Sequence, residues 1–233
     1  MQQNLKENIA IIVSGGSGKR MNSQIPKQYI KVKNRTILEY CLDKFINHEK
    51  INHIIIVVHD DYIDKVKTII KNLNTNKNIE IAKAGEQRYD SVYAGLLAAN
   101  SINPNANVLI HDAVRPNLNS QIIDELIEAL EEHDAACPVL PIADTVLELN
   151  ENGLVNPLNR NNIKLVQTPQ AFHFDKIMFS YNEFLKQTNF TPTDDTSIYL
   201  RYAFNPDITL TNGSADNYKI TWPEDLKRFE QDL

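Results

Sequence analysis

Short apolar runs closed by turn-forming residues alternate along this chain with segments of helical period, and that rhythm constrains the fold more than any other feature of the sequence. The runs are Ile9 to Val13, Ile54 to Val58, Ile79 to Ala82, Val108 to Ile110, Ala135 to Leu140 and Ile208 to Leu210. They read as strands, several of them buried on both faces because no polar residue alternates within them. Between them lie helical segments: Ile37 to Ile46 behind Thr36 as cap, Tyr62 to Ile70, Ser91 to Ala99, and Ile122 to Leu130 behind Asn119 or Ser120. Strand, helix, strand in succession means right-handed crossovers. The expected fold class is therefore α/β, a Rossmann-like, mostly parallel sheet with helices on both faces.

The rhythm breaks between Pro141 and Gln167. Asp144 to Leu149 reads as a strand, Asn150 to Gly153 as a turn and Lys164 to Val166 as another strand, so a β-arm is expected to leave the sheet here. At 233 residues the chain suits one principal domain, 1–233, with the arm at about 141–167 inside it. The formal charge of -6, with basic residues scattered rather than gathered, argues against nucleic acid as a partner. The polar stretch Met1 to Asn8 lacks the apolar centre of a signal peptide, and no apolar run approaches a membrane span. A cytoplasmic protein without a membrane partner is expected. Cys41 and Cys137 have neither disulfide nor metal-ligand spacing and read as small buried hydrophobes.

In open sheets of this kind ligands bind where the loops leave the carboxyl ends of the strands. The first strand runs into Ser14-Gly15-Gly16-Ser17-Gly18-Lys19-Arg20. This is not a Walker A loop, since Val13 stands where its first glycine belongs and Arg20 follows Lys19 in place of Ser or Thr. It is not the dinucleotide fingerprint either, because Gly16-Ser17-Gly18 is followed by Lys19-Arg20-Met21 with no third glycine. Glycines let backbone N–H groups approach a phosphate closely, and Arg20 and Lys27 add fixed positive charge, so the site suits a triphosphate. Taken alone, the loop reads equally well as a tight turn with solvated cations.

Ser14-Gly15-Gly16-Ser17-Gly18-Lys19-Arg20-Met21 followed by Pro26-Lys27-Gln28-Tyr29 resembles the opening signature of the sugar-nucleotide and polyol-phosphate nucleotidyltransferases. With the later motifs, ending in Trp222-Pro223-Glu224-Asp225-Leu226, nearly the whole chain is similar in order to the 2-C-methyl-D-erythritol 4-phosphate cytidylyltransferase family. The resemblance implies transfer of CMP from CTP to 2-C-methyl-D-erythritol 4-phosphate, giving the 4-diphosphocytidyl product and pyrophosphate. The acceptor's phosphate, with a second pKa near about 6, is already largely dianionic at neutral pH. No strong general base is needed, and positioning with charge neutralisation can carry the catalysis.

By the same resemblance Arg20, Lys27 and Lys219 are the expected catalytic residues. Ser14, Gly15, Gly16, Gly18 and Lys19 would hold the triphosphate, and Gly85, Glu86 and Ser91 the pyrimidine edge. Asp112 of His111-Asp112-Ala113-Val114-Arg115-Pro116 would hold Mg²⁺ or another divalent cation, joined by Asp216, while Arg115, Thr145, Thr193 and Lys219 meet the acceptor. Arg160, on an arm that crosses a two-fold axis in the family, would act in trans in a homodimer. Ala84 replaces a common glycine, Glu86 a common aspartate, and Asn117 a usually apolar residue after Arg115-Pro116. A ribitol 5-phosphate cytidylyltransferase is the nearest rival. Pro138-Val139-Leu140-Pro141 and Thr193-Asp194-Asp195-Thr196-Ser197 are closer to the erythritol pattern. A non-catalytic nucleotide-binding protein is a third reading, which the joint presence of Arg20, Lys27, Asp112 and Lys219 disfavours.

Overall fold

The computed structural model describes residues 6–16, 25–153, 155–187 and 189–233. β1 (Asn8–Ser14) leads to a 3-10 turn at Lys27–Tyr29 and a small hairpin of β2 (Lys31–Val32) and β3 (Arg35–Thr36). α1 (Ile37–Ile46), β4 (His53–Val58), α2 (Ile63–Asn72), β5 (Asn78–Lys83), α3 (Arg88–Ile102), β6 (Asn107–Asp112), α4 (Ser120–Ala129) and β7 (Ala135–Pro141) continue the alternation. β8 (Leu147–Leu149) and β9 (Val155–Pro157) form a second hairpin, followed by β10 (Lys164–Val166), β11 (Gln170–His173), α5 (Phe174–Phe184), α6 (Asp195–Tyr202), β12 (Ile208–Asn212) and α7 (Pro223–Asp232).

Among the described residues the main sheet has eight strands in the order β10-β7-β11-β6-β1-β4-β5, with β12 on the other side of β7. β1, β4, β5 and β6 run parallel, β12 runs parallel to β7, and β11 is inserted antiparallel between β6 and β7. Successive residues of β1 serve opposite layers, as the two-residue period of a strand requires. Ala10 and Ile12 pack with Leu38, Leu42 and Phe45 of α1 and Ile123 and Leu126 of α4. Ile9 and Ile11 pack with Val92 and Leu96 of α3 and with Ile177 and Tyr181 of α5. Both faces are therefore covered, as the uninterrupted apolar runs predict. Each fully buried Ile or Leu contributes about 1.5–3 kcal/mol of transfer free energy. Ile11→Ala would lose about 2–5 kcal/mol, because its Cγ2 lies against the backbone of Gly95, where an added Cβ would sit 2.5 Å away.

The arm differs from expectation. Lys164 to Val166 does not pair within it but returns to the main sheet as β10, antiparallel to β7 with Lys164 opposite Pro141. The free arm is the β8–β9 hairpin, Leu147 opposite Pro157 and Leu149 opposite Val155, closed by a hydrogen bond from the Leu158 N–H to the Val146 carbonyl at 2.9 Å. Asp144 to Val146 lies outside any strand. No helix among the described residues is long and apolar enough to cross a membrane.

The register fixes where chemistry can occur. Ser14 pairs with Val58, Val58 with Lys83, and Val13 with Asp112, so the carboxyl ends of four parallel strands open along one edge.

Candidate active site

A cleft of about 760 Å³ lies at that edge. Its first wall is the loop after β1. A Cβ on Gly15 would stand 2.5 Å from the Ala84 Cβ and 3.2 Å from the Ser91 hydroxyl, so only glycine lets this loop meet the loop after β5. A Cβ on Gly16 would meet nothing among the described residues within 4 Å. Gln28 fixes the loop, donating from Nε2 to the carbonyls of Ser14 at 2.8 Å and Gly16 at 2.9 Å. Lys27, on the turn before Gln28, is 9% exposed and donates from Nζ to the Ile220 carbonyl at 2.5 Å. The expected Gly18, Lys19 and Arg20 lie outside the described residues.

The opposite wall is the start of α3. Its capping box returns the Asp90 carboxylate to the Gln87 N–H at 3.0 Å, and Ser91 is buried with its hydroxyl donating to the Gln87 carbonyl at 3.1 Å. Gly85 and Glu86 line the cleft just before this N-terminus, where the helix dipole and unpaired N–H groups favour a polar or anionic ligand. Arg88 is the first residue of the helix.

Asp112 ends β6 and is the centre of charge. Its Oδ1 faces Arg88 Nε at 3.2 Å and its Oδ2 faces Lys219 Nζ at 2.7 Å, with Arg115 Nε at 3.9 Å. Burial alone would push this carboxyl up. Arg88, then Lys219 and Arg115, outweigh burial and hold it well below the usual carboxylate range. Behind it, the Asp112 N–H donates to the Thr168 hydroxyl at 3.1 Å, and that hydroxyl contacts His111 Nδ1 at 3.1 Å. The Arg115 carbonyl can only accept, so Nε2 carries the ring proton and donates to it at 3.2 Å; burial keeps the imidazole neutral, and Nδ1 then accepts from the Thr168 hydroxyl. Burial pushes His111 down to about 4, against the opposing pull of Asp112.

Lys219 owes its place to the C-terminal motif. Pro223 opens α7, and Asp225 accepts from the N–H groups of Thr221 at 2.7 Å and Trp222 at 2.8 Å, fixing the chain just after the lysine. Ile220 is buried with Val32, Ile37 and Phe229, and its N–H donates to the Val114 carbonyl at 2.9 Å. Arg115 Nη1 donates to the Asn217 carbonyl at 2.7 Å, and Asn217 Nδ2 donates to the Thr168 carbonyl at 2.9 Å. One short segment thus ties the charge cluster to both ends of the fold.

The family model of 2-C-methyl-D-erythritol 4-phosphate cytidylyltransferase, IspD, matches residues 8–233. A protein of that description from Clostridium botulinum type A is 42% identical over 232 residues, 98% of both chains. The chain belongs to the 2-C-methyl-D-erythritol 4-phosphate cytidylyltransferase family. A further relative so described, from Lachnospira eligens, is 36% identical over 222 residues, covering 94% of this chain and 96% of its own. The crystal structure of the 4-diphosphocytidyl-2C-methyl-D-erythritol synthase from Anaerococcus prevotii superposes with a TM-score of 0.86 at 30% identity, covering 98% of this chain and 96% of its own. The Francisella tularensis cytidylyltransferase superposes with a TM-score of 0.77 at 28% identity, over 97% of this chain and all of its own.

This cytidylyltransferase-family fold brings Ser14, Gly15, Gly16, Lys27, Gly85, Glu86, Ser91, Asp112 and Lys219 around one cleft. Arg115 lies just behind, its side chain 11% exposed. Thr145, Arg160 and Thr193 stand exposed outside the cleft lining, Arg160 donating to the Ala143 carbonyl of its own arm. Asp216 is not brought to Asp112: the turn from Ser214 sends its side chain outward, to 3.7 Å from Arg228 Nη2. Among the described residues no three His, Cys, Asp or Glu side chains group as metal ligands. The residues that sequence reasoning passed over are Gln28, Arg88 and Asp195. Gln28 stands in Pro26-Lys27-Gln28-Tyr29, Arg88 between Glu86 and Ser91, and Asp195 in Thr193-Asp194-Asp195-Thr196-Ser197, where Thr-Asp taken alone is a common helix cap.

Proposed function

We propose that this chain transfers CMP from CTP to 2-C-methyl-D-erythritol 4-phosphate, releasing pyrophosphate, as a single nucleotidyltransferase domain of residues 1–233. The observation that carries the reading is the convergence of Arg88, Arg115 and Lys219 on one carboxylate, Asp112, with Lys27 lining the same cleft, beside a glycine loop and a helix N-terminus. Such a site binds a polyanion with a pyrimidine-sized head and keeps positive charge where charge develops at the α-phosphorus.

In this reading Gly16 and the neighbouring loop, with Gly18 and Lys19, cradle the phosphates. Gly85, Glu86 and Ser91 meet the cytosine edge. Arg20 and Lys27 neutralise the α-phosphate and the departing pyrophosphate, and Lys219 with Arg115, Thr145 and Thr193 aligns the acceptor. The acceptor phosphate attacks as the dianion it already is, so no residue need remove a proton. A single carboxylate held ionised at a phosphate site fits Mg²⁺, which commonly takes one or two carboxylates and completes its shell from phosphate and water. When bound, the cation neutralises phosphate charge. Asp112 is its protein ligand in this reading, and Asp216, directed at Arg228, is not.

Leu147, Leu149 and Val155 of the arm are 58%, 71% and 51% exposed, an apolar strip suited to a second copy of the chain. The arm then embraces a partner in a homodimer, and Arg160 serves the partner's acceptor site. A cytoplasmic enzyme acting without nucleic acid or membrane completes the reading. Its test is pyrophosphate release from CTP with each polyol phosphate. Release with the erythritol phosphate, at a kcat/KM well above that with ribitol 5-phosphate, is expected. Release with ribitol 5-phosphate alone, or with neither, would contradict it.

A further inference from the structure

Arg88 lines the cleft, yet most of its hydrogen bonding points away from it. Its Nη1 and Nη2 form a fork on Asp195, at 3.0 Å to Oδ1 and 2.8 Å to Oδ2. The same Oδ1 accepts the Tyr181 hydroxyl at 2.6 Å. Asp195 and Tyr181 are both 0% exposed, and neither lines the cleft. A fork pair fixes the plane of a guanidinium, and with the plane fixed the Nε–H has a single direction. That direction is the Asp112 Oδ1, 3.2 Å away.

Asp195 is held in turn. It is the first residue of α6, whose cap Asp194 accepts from the Ser197 N–H at 2.8 Å. Gln170 of β11 grips the same turn with both ends of its amide, donating to Asp194 at 2.8 Å and accepting from the Thr196 N–H at 2.9 Å. A fully buried carboxylate is costly unless its partners are well placed, and this one has its full set from two elements. Such a costly arrangement does more here than join α3 to α6, because the third donor of Arg88 ends on the carboxylate at the centre of the cleft.

We propose that Asp195, with Tyr181, is a positioning residue: it orients Arg88, and Arg88 orients Asp112 for the nucleotide. The inference rests on the cleft being the CTP site. It assigns to Asp195 an effect on ligand binding that no contact with the ligand can explain.

The test is a double-substitution cycle read by the Kd for CTP at fixed Mg²⁺, with melting temperature measured beside it. Asp195→Asn weakens CTP binding about tenfold when Asp112 is present, a coupling typical of residues in one hydrogen-bond network, and about twofold or less in an Asp112→Asn background. Tyr181→Phe, which keeps the ring and removes one hydrogen bond, gives the same pattern at about threefold and serves where Asp195→Asn does not fold. Arg88→Lys keeps the charge without the fork and weakens binding nearly as much as Arg88→Met. An equal loss in both Asp112 backgrounds, or full rescue by lysine at position 88, overturns the inference and leaves Asp195 a structural ion pair. Failure of the unsubstituted protein to bind CTP instead defeats the functional reading on which the inference rests.

Discussion

The cleft and the arm carry functional candidates in opposite physical settings. At the cleft, the side chains are buried or half-buried and held by partners far away in sequence: Lys27 by Ile220, Arg88 by Asp195, Arg115 by Asn217, Lys219 by Asp112. On the arm, Arg160 donates to Ala143 of the same arm, and the described leucines of a two-stranded hairpin face outward. An isolated hairpin of two strands is marginal in water, and an apolar strip on it is stable only when covered. The difference teaches which half of the site is finished within one chain. Among the described residues, the cleft has its charges fixed before any ligand arrives. Thr145 and Arg160, which the proposed function gives to the acceptor, stand outside the cleft lining, as a site completed by a second subunit would leave them.

The largest effect expected from breaking the finished half is on turnover. Arg20→Ala and Lys27→Ala each lower kcat on the order of 10²-fold or more, because they remove charge needed mainly in the transition state. Steady-state kinetics with circular dichroism checks this, and near-normal kcat in both variants would sink the assigned roles. Breaking the unfinished half acts on assembly. Leu149→Asp places a charge on the most exposed of the arm's described leucines, and sedimentation should show dimer giving way to monomer while CTP binding at the cleft stays within about twofold. Loss of CTP binding without a change of mass would erase the distinction between the two halves.

A smaller effect concerns acid. His111 has its folded pKa at about 4, below its ordinary value of 6.5, so between those limits the unfolded chain binds more protons. Stability therefore falls as pH drops from about 6.5 towards 4, by up to about 3 kcal/mol, and does not change through this group above that window. Asp112, held well below the usual carboxylate range by Arg88, Lys219 and Arg115 against the opposing effect of burial, loses its contribution only at lower pH still. Melting curves from pH 7 to 4 should show the first slope, and His111→Gln should flatten it. An unchanged slope would mean that the imidazole is not held neutral.

The smallest effects separate two adjacent glycines. Gly15→Ala collides with Ala84 and should destabilise by about 1–3 kcal/mol, whereas Gly16→Ala meets no described residue and should leave stability within about 0.5 kcal/mol. If Gly16→Ala nonetheless weakens CTP binding, the loss is one of close approach by the ligand. Equal melting losses in both variants would count against the open geometry at Gly16.

Much of this frame was legible in the residues. The six apolar runs became β1, β4, β5, β6, β7 and β12, and Thr36 does cap α1 through a reciprocal box with Glu39. Local chemistry suffices for such features, because a cap and a two-residue period are properties of neighbouring residues. Pairing is not. Lys164 to Val166 reads as a strand but carries nothing that tells β7 from an arm partner, and that choice is made by a contact more than twenty residues away in sequence. Four-residue β11 and eight-residue α6 are too short to show a period. The same limit governs the site. Glycines and cations after β1 announce a phosphate loop, whereas Thr193-Asp194-Asp195 reads as a helix cap. Asp194 is that cap, and Asp195 acquires its meaning only from Arg88, 107 residues away.

The central claim, a cytidylyltransferase site preorganised in one chain and completed by the arm of another, is tested most directly by mixing two inactive proteins. Arg160→Ala removes one positive charge from the arm, and Lys27→Ala removes one from the cleft. Subunit exchange gives about half heterodimers, each with one site free of both lesions, so the mixture should recover roughly a quarter of wild-type activity. Confirmed exchange with a mixture as inactive as its parents would show that Arg160 does not act across the dimer.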